Sequence, residues 1–335
     1  MTRPTPFWKT TWFRVTLGTL VSIVFLALAI KDVPLGDVAQ TLARVNYVWV
    51  ALGVLGMIVQ SGLRAVRWIQ LYYPQQRGLR ILPMTSIVLI AQMLNIVVPW
   101  RVGEIARIYL ASEIEKRNAA QTLATLAIEK FFDTLMLLTL LLMLPPFMTL
   151  PSWLERPREG IIVLALALFG VAFALVLSEE WLVQLLTKIP LPWGKQFISA
   201  NVRIALTSLD VFKRWDLHLA LQAQSVTLWL LGIVINYLTF LAMDLQLPFI
   251  SAFLLMAVLQ VGGIVPSSPG KLGVFQYLCI LTLGVFGVDK SAGLTYGILL
   301  YLIAYGTPII LGVLCLWWGG VNLRRMTAPP DKSAA

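Results

Sequence analysis

The sequence predicts an all-α polytopic integral membrane protein, with about six full transmembrane helices and two re-entrant or broken hairpins arranged as an inverted repeat. Of its 335 residues, 59% are hydrophobic and only 13% are charged, against about 25% charged in an ordinary soluble domain. Long runs such as 15–30 and 161–177 contain no acidic or basic residue. A soluble fold would expose a polar surface over such runs, so lipid is the expected solvent for most of the chain.

The first of nine apolar stretches, at residues 12–30, follows a basic start and ends in small residues, as a cleaved signal peptide also does. At about 20 residues it is long enough to cross a bilayer, and more apolar stretches follow it. We therefore predict an uncleaved first transmembrane helix. The other stretches lie at 45–63, 81–99, 119–144, 160–178, 219–243, 249–265, 272–287 and 292–318.

Clusters of basic residues flank the stretch at 81–99 on both sides. Cytoplasmic loops are enriched in Lys and Arg, so a helix that crossed here would place one cluster on the opposite side. We predict instead a re-entrant hairpin over 81–104 that enters from the cytoplasm and is broken near residues 95–99. The flanking residues are Arg64, Arg67, Arg77 and Arg80 before the stretch and Arg101, Arg107, Lys116 and Arg117 after it.

A second hairpin is predicted over 249–287, with its break at 265–270 and its opening on the outside. The six remaining stretches cross the membrane, which places most of the 26 Lys and Arg residues in the cytoplasm. Because Lys and Arg are enriched on that side, this arrangement predicts a multi-pass protein of the cytoplasmic (inner) membrane with both chain ends inside.

One membrane domain over 1–335 is expected, with a first repeat at 1–150 and a second at 151–325. Within the second repeat, residues 195–214 carry apolar side chains at helical spacing together with basic residues. This pattern is typical of an amphipathic helix on the cytoplasmic membrane surface. Residues 326–335 are predicted to be a disordered tail.

The two predicted breaks share a pattern. Residues 98–105 and 265–272 both read Val-Pro-x-x-x-Gly-charged-aliphatic, and they lie about half a chain apart. Inverted repeats with interrupted helices near the midplane are a recurrent plan of secondary transporters, in which paired breaks mark the substrate site. The alternative is that Pro and Gly only kink buried helices, but two matched breaks favour a site.

Charged residues next to the first break are the first candidates for that site. Arg101, Glu104 and Arg107 are spaced three residues apart, which places them close together at a helix start. They form either a self-neutralising cluster at the interface or a clamp for a headgroup, since Arg binds phosphate in a bidentate manner.

A second charged group lies inside the fourth apolar stretch, where Glu129 and Asp133 share one helical face next to Lys130. Each ionised group deep in a bilayer costs at least about 2.5–3.5 kcal/mol on insertion scales, so these should face protein or water. Their available partners are Arg101, Arg107 and Lys271. They form either a neutralising network or a cavity coupled to protons or a headgroup, and the second reading is preferred because this helix follows the first break.

The second break combines hydroxyl groups, backbone groups that Pro269 and Gly270 leave free to point at a ligand, and a cation. Ser267 and Ser268 can form hydrogen bonds with a ligand, while Lys271 adds positive charge to a helix start that already attracts anions. Phosphate is the expected ligand here. Lys271 has an equally good alternative, which is an ion pair with one of the three acidic residues named above.

Three motifs together resemble the lysylphosphatidylglycerol synthase transmembrane-region family. They are Asn95-x-x-x-Pro99-x-Arg101-x-Gly103-Glu104-x-x-Arg107, Ile128-Glu129-Lys130-x-x-Asp133 and Pro266-x-x-Pro269-Gly270-x-x-Gly273-Val274. In bifunctional bacterial members this region is held to move aminoacylated phosphatidylglycerol across the bilayer, and a separate domain makes that lipid. The resemblance therefore implies lipid translocation, and this chain is expected to be a stand-alone membrane unit.

Several stand-alone relatives are linked to isoprenoid-lipid, hopanoid or glycolipid pathways, so the resemblance does not select a lipid. Three residues depart from the usual pattern: Lys271 replaces a frequent Gly, Gln276 a frequent Glu and Tyr301 a frequent Arg. The loss of an acid and a base together with the gain of Lys271 predicts a rearranged charge network.

Composition narrows the remaining classes of function. The formal net charge of +10 indicates anionic headgroups rather than nucleic acid as the partner of a membrane protein. Two cysteines and one histidine provide neither a disulfide framework nor a Cys/His metal site, so no cofactor or metal is expected. No ATP-binding P-loop is present, which favours downhill or ion-coupled movement.

The leading hypothesis is a lipid flippase or scramblase that moves a phospholipid or lipid-linked anionic headgroup, with membrane lipids as its partners. The alternatives are an integral-membrane glycosyl- or aminoacyl-transferase that uses paired carboxylates, although a non-enzymatic role is preferred, and a small-solute secondary transporter. The predicted substrate-binding residues are Asn95, Pro99, Arg101, Gly103, Glu104, Arg107, Glu129, Lys130, Asp133, Pro266, Ser267, Ser268, Pro269, Gly270 and Lys271.

Overall fold

The computed structural model describes residues 11–31, 33–99, 102–177, 208, 211, 214–263 and 268–318. All regular secondary structure in these ranges is helical, which confirms the predicted all-α class. The helices are α1 (Thr11–Ile30), α2 (Leu35–Ala43), α3 (Tyr47–Gln70), α4 (Ile81–Val97), α5 (Val102–Glu115), α6 (Ala119–Met143), α7 (Ser152–Leu177), α8 (Trp215–Ala242), α9 (Phe249–Gly262), α10 (Val274–Gly284), α11 (Lys290–Tyr301) and α12 (Thr307–Trp318). A 3₁₀ turn at Pro269–Lys271 precedes α10, and a π-helical turn at Leu302–Gly306 joins α11 to α12.

Several helices have the length and composition of membrane spans. Among the described residues, α3, α8 and the continuous segment Lys290–Trp318 are long and apolar enough to cross a bilayer. Large apolar side chains such as Leu55, Val163 and Ile310 remain more than half exposed on the outside of the protein, where lipid would cover them. The chain is therefore a polytopic membrane protein, as its composition predicts.

Helices α4 and α5 form the first hairpin. With 17 and 14 residues, the two arms are about 25 and 21 Å long, which is shorter than a hydrocarbon core of about 30 Å. Arg80 Nη2 lies 3.2 Å from Glu115 Oε1, so both outer ends lie on the same side. The predicted end at residue 104 is too early, because the buried residues Ala106 and Leu110 continue the second arm to Glu115.

Helices α9 and α10 form the second hairpin. Their 14 and 11 residues correspond to about 21 and 16 Å. The arms approach closely, since a Cβ atom at Gly262 would lie 2.1 Å from Leu278 Cδ1. Residues 268–270 of the predicted break are non-helical or 3₁₀, while 264–267 lie outside the described residues.

The two hairpins open towards opposite ends of α3. Asn46 N donates a hydrogen bond of 2.9 Å to Ala242 O, so the end of α8, from which a short loop leads into α9, lies beside the start of α3. Helix α4 instead follows the end of α3. The tips meet between these openings, where a Cβ atom at Gly270 would lie 3.6 Å from Ile96 O. This is the arrangement that an inverted repeat requires, and the repeat itself stays a prediction.

Helix α3 packs mainly against α8, and α4 against α12. At the second crossing, a Cβ atom at Gly312 would lie 2.8 Å from Leu89 O, so the two backbones lie close together. The short helix α2 was not predicted; Val38 on its buried face packs with Ala29 and Leu294. The predicted surface helix at 195–214 lies outside the described residues except for Ser208, Val211 and Arg214, as does the predicted tail.

Candidate functional site

A cavity of about 440 Å³ lies between the two hairpins. Both hairpins contribute to its wall, together with α3, α6, α8, and the segment from α11 to α12. Such concave sites between helices of a bundle are where small ligands usually bind. The polar and charged lining residues are Gln60, Arg64, Gln92, Asn95, Glu104, Arg107, Glu129, Lys130, Asn236, Gln260, Lys271 and Tyr305.

A buried ion cluster joins this wall to the interior of the first half of the chain, residues 1–150. Arg107 Nη2 lies 2.8 Å from Glu129 Oε2, and Arg67 Nη2 lies 2.9 Å from Asp133 Oδ1. Arg67 Nη2 also lies 3.6 Å from Glu129 Oε1, which links the two pairs. The Arg67 side chain is 1% exposed and also donates a hydrogen bond to Ser225 Oγ, so the cluster is neutral and its members support one another.

Arg107 is held from a second direction by an aromatic ring. Its guanidinium carbon lies 4.0 Å from the centre of the Trp68 ring, a distance that gives a favourable cation–π contact. Trp68 is fully buried and donates through Nε1 to Thr125 Oγ1 at 3.0 Å. The orientation of Arg107 is therefore fixed by α3 and α6, the helices on either side of it.

Glu104 and Lys130 form a separate pair at the edge of the cavity. Lys130 Nζ lies 3.4 Å from Glu104 Oε1, and the two side chains are 49% and 32% exposed. Partly exposed pairs of this kind contribute little to stability. Of the predicted Arg101–Glu104–Arg107 cluster, Glu104 therefore pairs with Lys130 and Arg107 pairs with Glu129, while Arg101 lies outside the described residues.

Arg64 lines the cavity from α3, three residues before Arg67. The structure shows no ion pair or hydrogen bond between Arg64 and any residue that it describes, and the buried Arg64 Nε has no acceptor there. Met57, Gln60 and Arg64 line the cavity together, at the spacing that places side chains on one helical face.

The tip of the first hairpin is closed by a side chain. Asn95 Oδ1 accepts a hydrogen bond of 2.9 Å from Gly103 N, which satisfies one of the free donors at the start of α5. A Cβ atom at Gly103 would lie 1.9 Å from Ala91 O. Only glycine therefore fits where the two arms meet.

The tip of the second hairpin has an unusual backbone and is attached to α1. Gly270, Lys271 and Gly273 have positive φ values of 70°, 56° and 83°, which favour glycine at two of the three positions. Ser22 Oγ donates to Ser268 Oγ at 2.7 Å and accepts from Ser268 N at 2.9 Å.

The Lys271 ammonium is placed beside the end of α9. A Cβ atom at Gly263 would lie 2.8 Å from Lys271 Nζ, and the carbonyl groups at a helix end favour a cation. Lys271 lines the cavity from this position.

Aromatic rings form another part of the cavity wall. Tyr301 and Tyr305 stack with ring centres 4.6 Å apart, and Phe275 meets both of them edge to face. Tyr305 and Phe275 also line the cavity. This wall therefore combines apolar ring surface with hydroxyl groups.

The structure brings most of the predicted site residues together. Asn95, Glu104, Arg107, Glu129, Lys130 and Lys271 line the cavity. Asp133 lies behind them, paired with Arg67, while Pro99, Gly103, Ser268, Pro269 and Gly270 build the two tips. Arg101, Pro266 and Ser267 lie outside the described residues.

Sequence reasoning missed two arginines of this site. Arg64 and Arg67 were assigned to the cytoplasmic flank of the first hairpin, but α3 continues to Gln70 and carries both into the protein. That assignment is wrong for Arg67, which is buried, and for Arg64, which lines the cavity. The lining amides Gln60, Gln92 and Gln260 were also missed; the spacing of Gln60 and Arg64 on α3 was the available signal.

Comparison with known proteins agrees with this architecture. The family described as "Lysylphosphatidylglycerol synthase TM region" matches residues 15–312. The UPF0104 membrane protein MJ1595 of Methanocaldococcus jannaschii is 20% identical over 90% of this chain and 94% of its own length. A second protein of that organism, the UPF0104 membrane protein MJ1078, is 24% identical over 67% of this chain and 93% of its own length.

No solved structure gives a significant match. The family match spans both hairpins and every residue that lines the cavity, and it agrees with the resemblance found in the three sequence motifs. This chain therefore belongs to the lysylphosphatidylglycerol synthase transmembrane-region family.

Proposed function

We propose that this protein is a flippase- or scramblase-like transporter that moves a phospholipid or lipid-linked anionic headgroup across the cytoplasmic membrane. The observation that carries the proposal is the charged cavity of about 440 Å³ between the tips of two short hairpins. Hairpins that open in opposite directions around one polar site are the plan by which transporters expose a site to each side in turn.

The charges of the cavity favour an anionic ligand. Four cationic side chains line it, against two carboxylates, and ionised groups within a membrane normally face a partner or a substrate path. Cations in a low-dielectric site bind phosphate through short, charge-assisted hydrogen bonds. The headgroup would enter this cavity while its acyl chains stay in the bilayer.

The membrane orientation forms part of the proposal. The loop before α4 holds Arg77 and Arg80, and the loop after α5 holds Lys116 and Arg117. Arg117 donates hydrogen bonds to the carbonyl oxygens of Gln75 and Arg77, so these basic loops share one surface. Because such surfaces face the cytoplasm, the first hairpin would open inwards, with both chain ends inside.

Lipid exchange in vesicles tests the proposed function. The purified chain is reconstituted into phosphatidylcholine vesicles with a trace of fluorescent phosphatidylglycerol, and a membrane-impermeant reductant is added outside. We expect rapid loss of the signal from both leaflets with the protein, and from the outer leaflet alone without it.

Lys271→Ala should slow this exchange, because it removes one cavity cation. Lys31→Ala is the matched control, since Lys31 is exposed in a loop after α1 and lies outside the cavity. The proposal fails if no tested anionic lipid exchanges faster with the protein and Lys271→Ala equals the wild type. Uptake of a water-soluble anion without lipid exchange would support the small-solute alternative instead.

A further inference from the structure

The described acidic residues of the cavity region already have cationic partners. Asp133 pairs with Arg67, Glu129 with Arg107 and Glu104 with Lys130. These pairs use the two carboxylates that line the cavity, Glu104 and Glu129, and the Asp133 carboxylate behind them. Arg64 is a further cation in the same wall, and it has no ion pair or hydrogen bond with any residue in the described part of the chain.

Arg107 is a poor candidate for the residue that first binds a ligand, although it lines the cavity. Its guanidinium is bonded to Glu129 at 2.8 Å and stacked on Trp68 at 4.0 Å. A ligand that bound Arg107 in place of Glu129 would break a buried ion pair. Glu129 would then keep only its contact of 3.6 Å with Arg67. Such a rearrangement costs far more than binding to a guanidinium that has no competing partner.

Arg64 has the chemistry that an oxyanion requires. A guanidinium presents donors in a planar fork that matches phosphate oxygens, and it stays charged even when it is partly buried. Arg67 and Arg107 lie nearby and add positive potential, although their own acids largely balance them. The nearest described acids, Asp133 and Glu129, are already in contact with Arg67 and Arg107, so a cation at Arg64 that has no ion pair of its own is best explained by a ligand that supplies one.

We propose that Arg64 is the residue that binds the anionic group of the ligand, a phosphate-type oxyanion, and that Arg67 and Arg107 are positioning residues. This inference rests on the transport function proposed above and names the contact that selects its substrate. The oxyanion belongs either to a lipid headgroup or to free phosphate.

Binding to the purified full-length chain in detergent separates these sources. The probes are dihexanoyl-phosphatidylglycerol, a soluble anionic lipid, and inorganic phosphate, each titrated by calorimetry. We expect Arg64→Gln to weaken binding of the probe at least tenfold and Arg64→Lys to weaken it less, because the charge is kept while the fork is lost. Loss of lipid binding alone assigns a headgroup, and equal loss for inorganic phosphate assigns a free anion; both results support the site.

Thermal stability without ligand distinguishes binding from a structural role. Arg67→Gln is the matched variant, one turn further along α3, and it should lower Tm strongly because it leaves Asp133 without its partner. Arg64→Gln should leave Tm unchanged or raise it, because it removes a cation that has no ion pair or hydrogen bond with any described residue and leaves the pairs of Arg67 and Arg107 intact.

The proposal is overturned if neither probe binds the wild type, or if Arg64→Gln binds the probe as tightly as the wild type does. It is also overturned if Arg64→Gln lowers Tm as much as Arg67→Gln while binding is unchanged. If the wild type binds the lipid through Arg64 but does not exchange it in vesicles, the transport function fails and the Arg64 site stands. If the wild type exchanges lipid and Arg64→Gln exchanges it equally fast, the site fails and the transport function stands.

Discussion

The two hairpin tips share a sequence pattern but use its glycine for different physical reasons. Gly103 lies in the helical backbone of α5, and it is needed because a Cβ atom there would lie 1.9 Å from Ala91 O. Gly270 has φ of 70°, a conformation that side chains disfavour. One tip therefore needs glycine for space, and the other needs it mainly for backbone conformation.

The two tips are also held in place by different contacts. The first tip closes on itself through the hydrogen bond from Gly103 N to Asn95 Oδ1. The second tip is attached to other helices, through Ser22 on α1 and beside Tyr301 on α11. The hydrogen bond at the first tip thus joins the two arms of its own hairpin, whereas the hydrogen bonds at the second tip join it to another helix.

Charge is also divided unequally between the halves. Glu129 and its two arginine partners lie beside the first hairpin, while the second half contributes Lys271 and an aromatic wall. The first half therefore contributes most of the charge of the cavity wall, whereas the second half contributes its aromatic surface.

Loss of the Glu129 carboxylate, which lies at the centre of the charged half of the site, should have the largest effect on stability. Glu129→Gln removes the acid that joins Arg107 to Arg67 and leaves buried positive charge without its partner, a change that typically costs about 3–5 kcal/mol. We expect a large fall in Tm of the purified protein, measured by thermal unfolding in detergent.

Glu104→Gln is the control for this change, because it removes a carboxylate from the partly exposed pair with Lys130. Its effect should stay within about 1 kcal/mol. If the two variants lose equal stability, the buried cluster does not hold the first half together.

A methyl group at the first tip should have the next largest effect. Gly103→Ala places a Cβ atom against the backbone oxygen of Ala91, which cannot move without separating α4 from α5. Overpacking of this kind typically costs about 1–3 kcal/mol, and we expect the upper end of that range in the same unfolding assay.

Gly62→Ala serves as the comparison, because no atom lies within 4 Å of the Cβ position at Gly62 in α3. Alanine is also the better helix former, so this variant should be as stable as the wild type or slightly more so. Equal losses from both substitutions would show that the first hairpin is not closely packed at Gly103.

The positions of both breaks were predictable because Pro, Gly and charge at a break are local signals. Helix α4 ends at Val97 and α9 ends at Gly262, close to where the sequence placed the interruptions. The partner of Asp133 was not predictable in this way, since Arg67 lies 66 residues away along the chain. The sequence around a Lys or Arg near the end of a span looks the same whether its side chain faces the cytoplasm or an acidic residue of another helix.

Helix limits that depend on packing were also missed. The second arm of the first hairpin passes residue 104 because Ala106, Leu110 and Ala111 join the core formed by α3, α4 and α6. Nothing in a window of 20 residues reports such contacts. The basic residues on both sides of 81–99 predicted that the two ends of the first hairpin lie together, as the contact of Arg80 with Glu115 shows, whereas tertiary contacts decided where its arms end.

Substitution at the second tip should have the smallest effect and should be partly reversible. Gly270→Ala forces a side chain into the left-handed region, at about 1–2 kcal/mol, and brings its Cβ atom 2.5 Å from the Tyr301 hydroxyl oxygen. That oxygen is the end of a side chain and not backbone, so Tyr301→Phe should remove the steric part of the loss and leave the conformational part. The double variant should therefore unfold at a higher temperature than Gly270→Ala alone, while no second substitution in a side chain should rescue Gly103→Ala, whose clash is with a backbone oxygen. Full rescue of Gly270→Ala by Tyr301→Phe would mean that glycine is needed for space at both tips, and it would remove the difference between them.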